Sequence, residues 1–229
     1  MSNLSNNERL GQIARALEEL NAEVIYVGGA VVQLYSDDGA ARNPMTTYDV
    51  DCVVDTMTNT GYWDFEERLR EKHFENDTSE GAPLCRYLFN GEKVDFMPKV
   101  DTGIGESNRW YLKGMQYRQE YRLDDGILIS ILPVSYYLAS KLDALHSRGG
   151  SDYRGEKDFE DIVFVMNTCG NVTEQIANAV EDEVRNYLRE QFRTMFHRPN
   201  IREEIECALP SDESARVAIV LMRMQTVFG

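Results

Sequence analysis

The stretch YVGGAVVQLYSDDGAARNPMTTYDVDCVVD, residues 26–55, closes one apolar run on a glycine pair, Gly28 and Gly29. It opens a second apolar run with two aspartates around one valine, Asp49 and Asp51. Residues two apart on a strand point to the same side, so Asp49 and Asp51 share a face while Val50 and Cys52 take the other. An unpaired buried carboxylate is costly, and two close together repel. Something cationic has to neutralise them, and the nearest basic residue is Arg42 in the preceding loop. A divalent, oxygen-preferring ion meets the electrostatics better, because Mg2+ accepts carboxylates and keeps coordination sites for phosphate oxygens.

A third carboxylate fits the same scheme. In LCRYLFNGEKVDFM, residues 84–97, the Asn90–Gly91 pair between two apolar stretches predicts a hairpin, since both turn positions need positive φ. The strands run over about 84–89 and 92–97, and Asp95 lies in the second, between Val94 and Phe96. If that strand pairs beside a strand over 48–54, Asp95 reaches the same ions. Carboxylates on adjacent strands can hold two ions for in-line phosphoryl or nucleotidyl transfer, one activating the attacking oxygen and one steadying the leaving pyrophosphate. Gly28 and Gly29 then let the backbone approach a phosphate at a helix start. The plainer readings are a turn-capping aspartate pair, or one paired with Arg42, and an exposed hairpin acid at Asp95. A trio already quenched by arginines would contradict the metal reading.

With these residues in place, VGGAVVQLY (27–35), TTYDVDCVV (46–54) and KVDFM (93–97) resemble the nucleotidyltransferase superfamily, the polymerase-β-like fold. The match is closer to the bacterial abortive-infection and type IV toxin-like members, which carry a Thr two positions before the first Asp, as Thr47 stands here. They also carry a Lys in a helix after a Pro, then a basic–acidic cluster heading the next helix. LPVSYYLASKLDALHSRGGSDYRGEKDFEDIV, residues 132–163, resembles that block through Pro133, Lys141, Arg148, Lys157, Asp158 and Asp161.

The resemblance covers about residues 24–166. It implies metal ligands at Asp49, Asp51 and Asp95, and nucleotide contacts at Gly28, Gly29, Thr47, Lys141, Arg148 and Asp158. Lys141 would set a point charge on the triphosphate, although a lysine snorkelling at the core's edge would look the same. Asp158 or Asp161 would orient it, although acids in a first helical turn also suit the helix dipole. Arg148, Arg154 and Lys157 would supply a local cationic patch. Three departures stand out. Met45 occupies the place where relatives often have Arg, the spacing from Gly28–Gly29 to Asp49 is long, and Gly29 stands where Ser is common.

The implied activity is Mg2+-dependent nucleotidyl transfer, with one or two ions. A nucleoside triphosphate such as ATP is the donor, and a tRNA, a protein or a small molecule is the acceptor. A cognate antitoxin is an implied partner. The alternatives are a catalytically inactive nucleotide-binding or toxin–antitoxin module, and kinase-like γ-phosphoryl transfer.

The rest of the chain bounds this reading. Its 229 residues carry a net charge of −15, which repels nucleic acid and anionic membranes in bulk. The four cysteines and three histidines are scattered without zinc-ligand spacing, and Cys52 reads as a small core residue. No apolar run suits a membrane span or leader, so a cytoplasmic protein is expected.

Periodicity predicts helices over 7–21, 30–35 and 63–73, and strands over 23–27, 48–54, 117–123 and 127–131 besides the hairpin. Further helices are predicted over 133–147, 157–167, 172–196, 200–208 and 211–227. Trp110, Tyr111 and Tyr117 are either core or a base pocket. The charged run 181–198 reads as a solvated helix face. The expected architecture is α+β: a nucleotidyltransferase-like mixed β-sheet flanked by helices over residues 1–132, followed by a C-terminal helical region over 133–229.

Overall fold

A computed structural model describes residues 4–38, 47–105, 108–148 and 150–229; Arg42 and Met45 lie outside them. The chain forms two compact units, the first from Met1–Val31 and Met45–Pro133, the second from Val32–Pro44 and Val134–Gly229.

The first unit is built on one mixed sheet. Its strands are β1 (Val24–Val27), β2 (Asp49–Val54), β3 (Glu75–Asn76), β4 (Arg86–Phe89), β5 (Glu92–Pro98), β6 (Gln119–Arg122) and β7 (Leu128–Ile131). Their order is β3-β4-β5-β2-β1-β7-β6, with β2–β5 and β1–β7 parallel and the other neighbours antiparallel. The hairpin turns where expected, with Asn90 and Gly91 both at positive φ. Its register sets Arg86 opposite Asp95, and the parallel β2–β5 ladder sets Asp51 beside Asp95.

Pleating separates the two faces of this sheet. Val50, Cys52, Val94 and Phe96 point into the core and are fully buried. The helix α2 (Asn59–Glu71) covers that face: Phe65 packs edge-on against Phe96, and the Tyr62 hydroxyl donates to the Phe96 carbonyl at 2.7 Å. Burial pushes the Cys52 thiol up, with Asp51 and Asp95 adding to it, as suits a packing residue. Asp49, Asp51, Asp95 and Arg86 therefore share the opposite face.

The helix α1 (Asn6–Leu17) begins in a capping box between Ser5 and Glu8 and buries Leu10, Ile13 and Leu17. It is shorter than its periodicity suggests, passing into a 3-10 turn over Glu18–Glu23. Its first turn holds two strands at once. Arg9 is buried, ion-pairs with Glu92 of β5 at 3.0 Å and donates to the Thr47 carbonyl ahead of β2, while the Asn6 side chain accepts from the Thr47 N–H at 3.2 Å.

The segment after Gly28 is a 3-10 helix, Gly29–Tyr35, rather than an α-helix. One helix of this unit, α3 (Arg109–Gln116), is absent from the sequence reading; it buries Trp110 and Met115, so that Trp110 serves the core.

The second unit is helical: α4 (Val134–Arg148), α5 (Lys157–Thr168), α6 (Val172–Ala177), α7 (Asp182–Phe196), α8 (Ile201–Ala208) and α9 (Val217–Phe228). The single helix expected over 172–196 is two, because the chain breaks at Asn178–Glu181 and restarts with Asp182 and Glu183 in the new first turn, where the helix dipole favours acids. In this unit Asp37 accepts from the Gly170 N–H at 2.9 Å, and Asp38 pairs with Arg216 at 3.1 Å. Among the described residues no helix is long and apolar enough to cross a membrane.

Breaking a buried ion pair from one side leaves an uncompensated charge and costs about 3–5 kcal/mol. Arg9→Met should show a loss of that size in urea unfolding. The double variant Arg9→Met, Glu92→Leu should recover most of it, whereas an Arg9→Met loss under about 1 kcal/mol would mean that the pair does not hold the strands.

Candidate active site

The functional candidates fall into two groups, one in each unit. In the first, β2 and β5 bring Asp49, Asp51 and Asp95 onto one face. Asp49 is partly exposed, whereas Asp95 is buried at 8%. Thr47 shapes the approach to β2, its hydroxyl donating to the Asp49 carbonyl at 2.9 Å.

Gly28 adjoins this group for a steric reason. It sits at φ +70°, and a Cβ there would stand 1.9 Å from Asp51 Oδ2. The space that a side chain would fill is taken by the Asp51 carboxylate. The glycine is thus required by the acid beside it as well as by the turn.

One finding corrects the electrostatic premise drawn from the sequence. The trio is not without a cation from the chain itself. Arg86 of β4 forks Asp95, Nε donating to Oδ1 and Nη2 to Oδ2, both at 2.7 Å, and Nη2 also reaches Asp49 at 3.2 Å. The forked bond to Asp95 strengthens the hold of Arg86 on its proton, which burial alone would weaken. Among the described residues no three His, Cys, Asp or Glu side chains lie close enough together, as they stand, to hold a metal ion. The donor set is right in kind for a hard cation, all carboxylate oxygen, but in this arrangement Arg86 holds one of the three and touches a second.

The second group lies in the helical unit. Lys141 of α4 is buried, and its ammonium stands 2.5 Å from Asp161 and 3.1 Å from Asp158, both on α5. Tyr137, one turn before Lys141, donates to Asp161 at 3.5 Å, and Arg148 reaches Asp158 at 2.9 Å. Burial would lower the Lys141 pKa, but Asp161 and Asp158 outweigh it and the net shift is upward. Burial pushes the Asp161 carboxyl up, against the pull of Lys141. In this cluster the charge of Lys141 is met by two carboxylates of its own unit. Of the other expected cations, Arg154 pairs with Asp152 at 2.7 Å and Glu203 at 2.9 Å, while Lys157 opens α5.

Comparisons with known proteins address the fold. No protein-family model matches the chain, and no curated protein matches it in sequence. Among solved structures, it is similar to an antigenic nucleotidyltransferase-like protein from Paracoccidioides brasiliensis, with a TM-score of 0.51 at 17% identity, covering 90% of this chain and 94% of that one. Weaker likenesses are to the antibiotic-resistance factor ANT(2'')-Ia (TM-score 0.47, 14% identity, 83% of this chain and 95% of that one) and to a candidate nucleotidyltransferase from H. pylori (0.46, 10%, 100% and 96%). The chain therefore has a nucleotidyltransferase-like fold.

Two outcomes follow from this geometry. Gly28→Ala should lose about 1–2 kcal/mol to backbone strain plus a further cost from the Asp51 clash. In an Asp51→Ala background only the strain should remain, and additive losses in the two backgrounds would refute the close approach. Lys141→Met removes the main group that holds Asp161 charged, so a loss of about 3–5 kcal/mol is expected near neutral pH. A carboxyl raised in the folded state binds its proton more tightly there, so stability falls as pH rises from the ordinary carboxylate range through the folded value. The loss should therefore be smaller at about pH 5 than at about pH 8 by urea unfolding, and an equal loss at both would contradict the assignment.

Proposed function

We propose that the chain is a metal-dependent nucleotidyltransferase. The observation that carries the reading is the β2–β5 register, which lines up Asp49, Asp51 and Asp95 on one sheet face beside a glycine cut back for the Asp51 carboxylate, in a nucleotidyltransferase-like fold. Asp49 and Asp51, with Asp95, would hold Mg2+. The ion, when bound, would supply positive charge for triphosphate oxygens and for an attacking hydroxyl or phosphate.

The chain's own contribution is placement. The Arg9 bridge fixes the approaches of β2 and β5 against each other, so the carboxylates enter the reaction already oriented. Thr47 holds the backbone at Asp49. Phosphate contact at Gly28 and Gly29 is part of the reading, and rests on the resemblance. The Lys141 cluster is proposed as a buried staple between α4 and α5, with its paired charge serving stability before any triphosphate. The net charge of −15 favours a protein or small-molecule acceptor over tRNA.

One observation favours a second reading. Arg86 on Asp95 and Asp49 offsets part of the acids' charge without a metal, as in a nucleotide-binding module that has no catalytic step.

Incubation with nucleoside triphosphates labelled at the α- or γ-phosphate, in cell extract with Mg2+, separates the readings. Transfer of α-label with release of pyrophosphate is expected. Asp51→Asn should abolish it, by about 100-fold or more, with the thermal midpoint kept. Transfer of γ-label would mean a kinase-like step. Absence of both, with nucleotide still bound, would mean the inactive module.

A further inference from the structure

Arg86 lies on a chain position fixed by geometry. The two-residue turn at Asn90–Gly91 forces residue 86 opposite residue 95, and the β2–β5 ladder places Asp95 beside Asp51. A guanidinium there starts from the face that carries the acids. It satisfies both oxygens of Asp95 with two short, charge-assisted hydrogen bonds, and its Nη2 serves Asp49 as well. Its side chain is only 18% exposed, so water screens the contact weakly.

We infer that Arg86 is a resident counter-ion that competes with the divalent cation for the oxygens of Asp95 and Asp49. This rests on the metal-dependent reading above and adds a term to it: the cation binds against the charge of Arg86 and more tightly as the fork on Asp95 opens. The argument is one of competition. The guanidinium, at 2.7 Å from each oxygen of Asp95, takes about half of that carboxylate's four lone-pair sites, and a cation at the others would face its like charge. A basic residue in this place sets the concentration at which the site loads, and it bridges Asp95 and Asp49 before a cation arrives. Arg86 is thus a positioning residue for the acids and acts through them.

A lysine there would not be equivalent. Its ammonium is a point charge on a flexible stem and cannot fork both oxygens of Asp95 in the plane of the carboxylate. The exposed Lys93, set beside Asp49 by the β2–β5 ladder, provides a control for charge alone, since it brings a like charge to the same face without the fork that Arg86 makes.

The test is titration of the intact chain with Mn2+, read by the electron paramagnetic resonance signal of the free ion, which needs no turnover. Arg86→Met should bind Mn2+ about tenfold or more tightly than the unaltered chain. Arg86→Lys should fall between the two, and Lys93→Met should change affinity by less than about threefold. Without metal, Arg86→Met should unfold at a lower temperature than the unaltered chain, and Mn2+ should raise its midpoint by more.

If Arg86→Met does not fold, Arg86→Lys carries the test alone and must bind Mn2+ more tightly than the unaltered chain. Equal affinities in the unaltered chain and the Arg86 variants would overturn the competition while leaving the metal site standing. An Arg86→Lys variant that binds like the unaltered chain, or a Lys93→Met shift as large as that of Arg86→Met, would reduce the effect to net charge and overturn it too. Absence of Mn2+ binding in every variant would remove both this inference and the metal-dependent reading.

Discussion

The ladder between β2 and β5 sets the terms for everything else in the first unit. Because these strands run parallel with Asp51 beside Asp95, every odd-numbered residue on one of them meets an odd-numbered residue on the other across the same face. One face is thereby apolar and covered by α2, and the other collects acids. A one-residue slip of β2 would send Asp49 and Asp51 into the core and Val50 and Cys52 outward, a cost far beyond a domain's marginal stability. The Arg9–Glu92 pair, reaching also to Thr47, reinforces this register from the α1 side. Structure and proposed chemistry thus depend on the same alignment.

Placing like charges together on a sheet creates a problem that the chain answers locally. Asp95 and Asp49 share Arg86, and Gly28 makes room for Asp51. The helical unit meets a similar problem differently, with two acids on α5 facing one lysine on α4, and an arginine at the end of α4 for the remaining valence of Asp158. Both arrangements follow one rule: buried charge is kept where several partners satisfy it together. They differ in how closed they are. Lys141 is enclosed, while Asp49 is partly open to water.

Much of this was legible in the sequence, and the part that was not has a clear cause. The hairpin and the shared face of Asp49 and Asp51 follow from turn chemistry and the period of a strand, whereas the pairing of the hairpin's second strand with β2 could be stated only as a condition. Arg86 was legible by the same means, since counting back from Asn90–Gly91 puts it opposite Asp95, yet a search for a cation near Asp49 in sequence finds Arg42 first. Asp158 and Asp161 share a helix face by spacing, and both meet Lys141. Arg9 was out of reach: it lies far along the chain from Thr47 and Glu92, and a single arginine among the polar residues of an amphipathic helix carries no signal of burial. The helix α3 escaped because it is short and has Gly114 inside it. The 3-10 form of Gly29–Tyr35 is not distinguished from an α-helix by the apolar spacing of so short a segment.

The central claim is that the acids on β2 and β5 join a nucleotide to the chain through a divalent cation. Calorimetric titration with a nucleoside triphosphate, in Mg2+ and again in excess chelator, tests it most directly. Saturable heat that requires Mg2+ and disappears in Asp51→Asn is the predicted result. Binding of equal strength in chelator, or undiminished in Asp51→Asn, would contradict it.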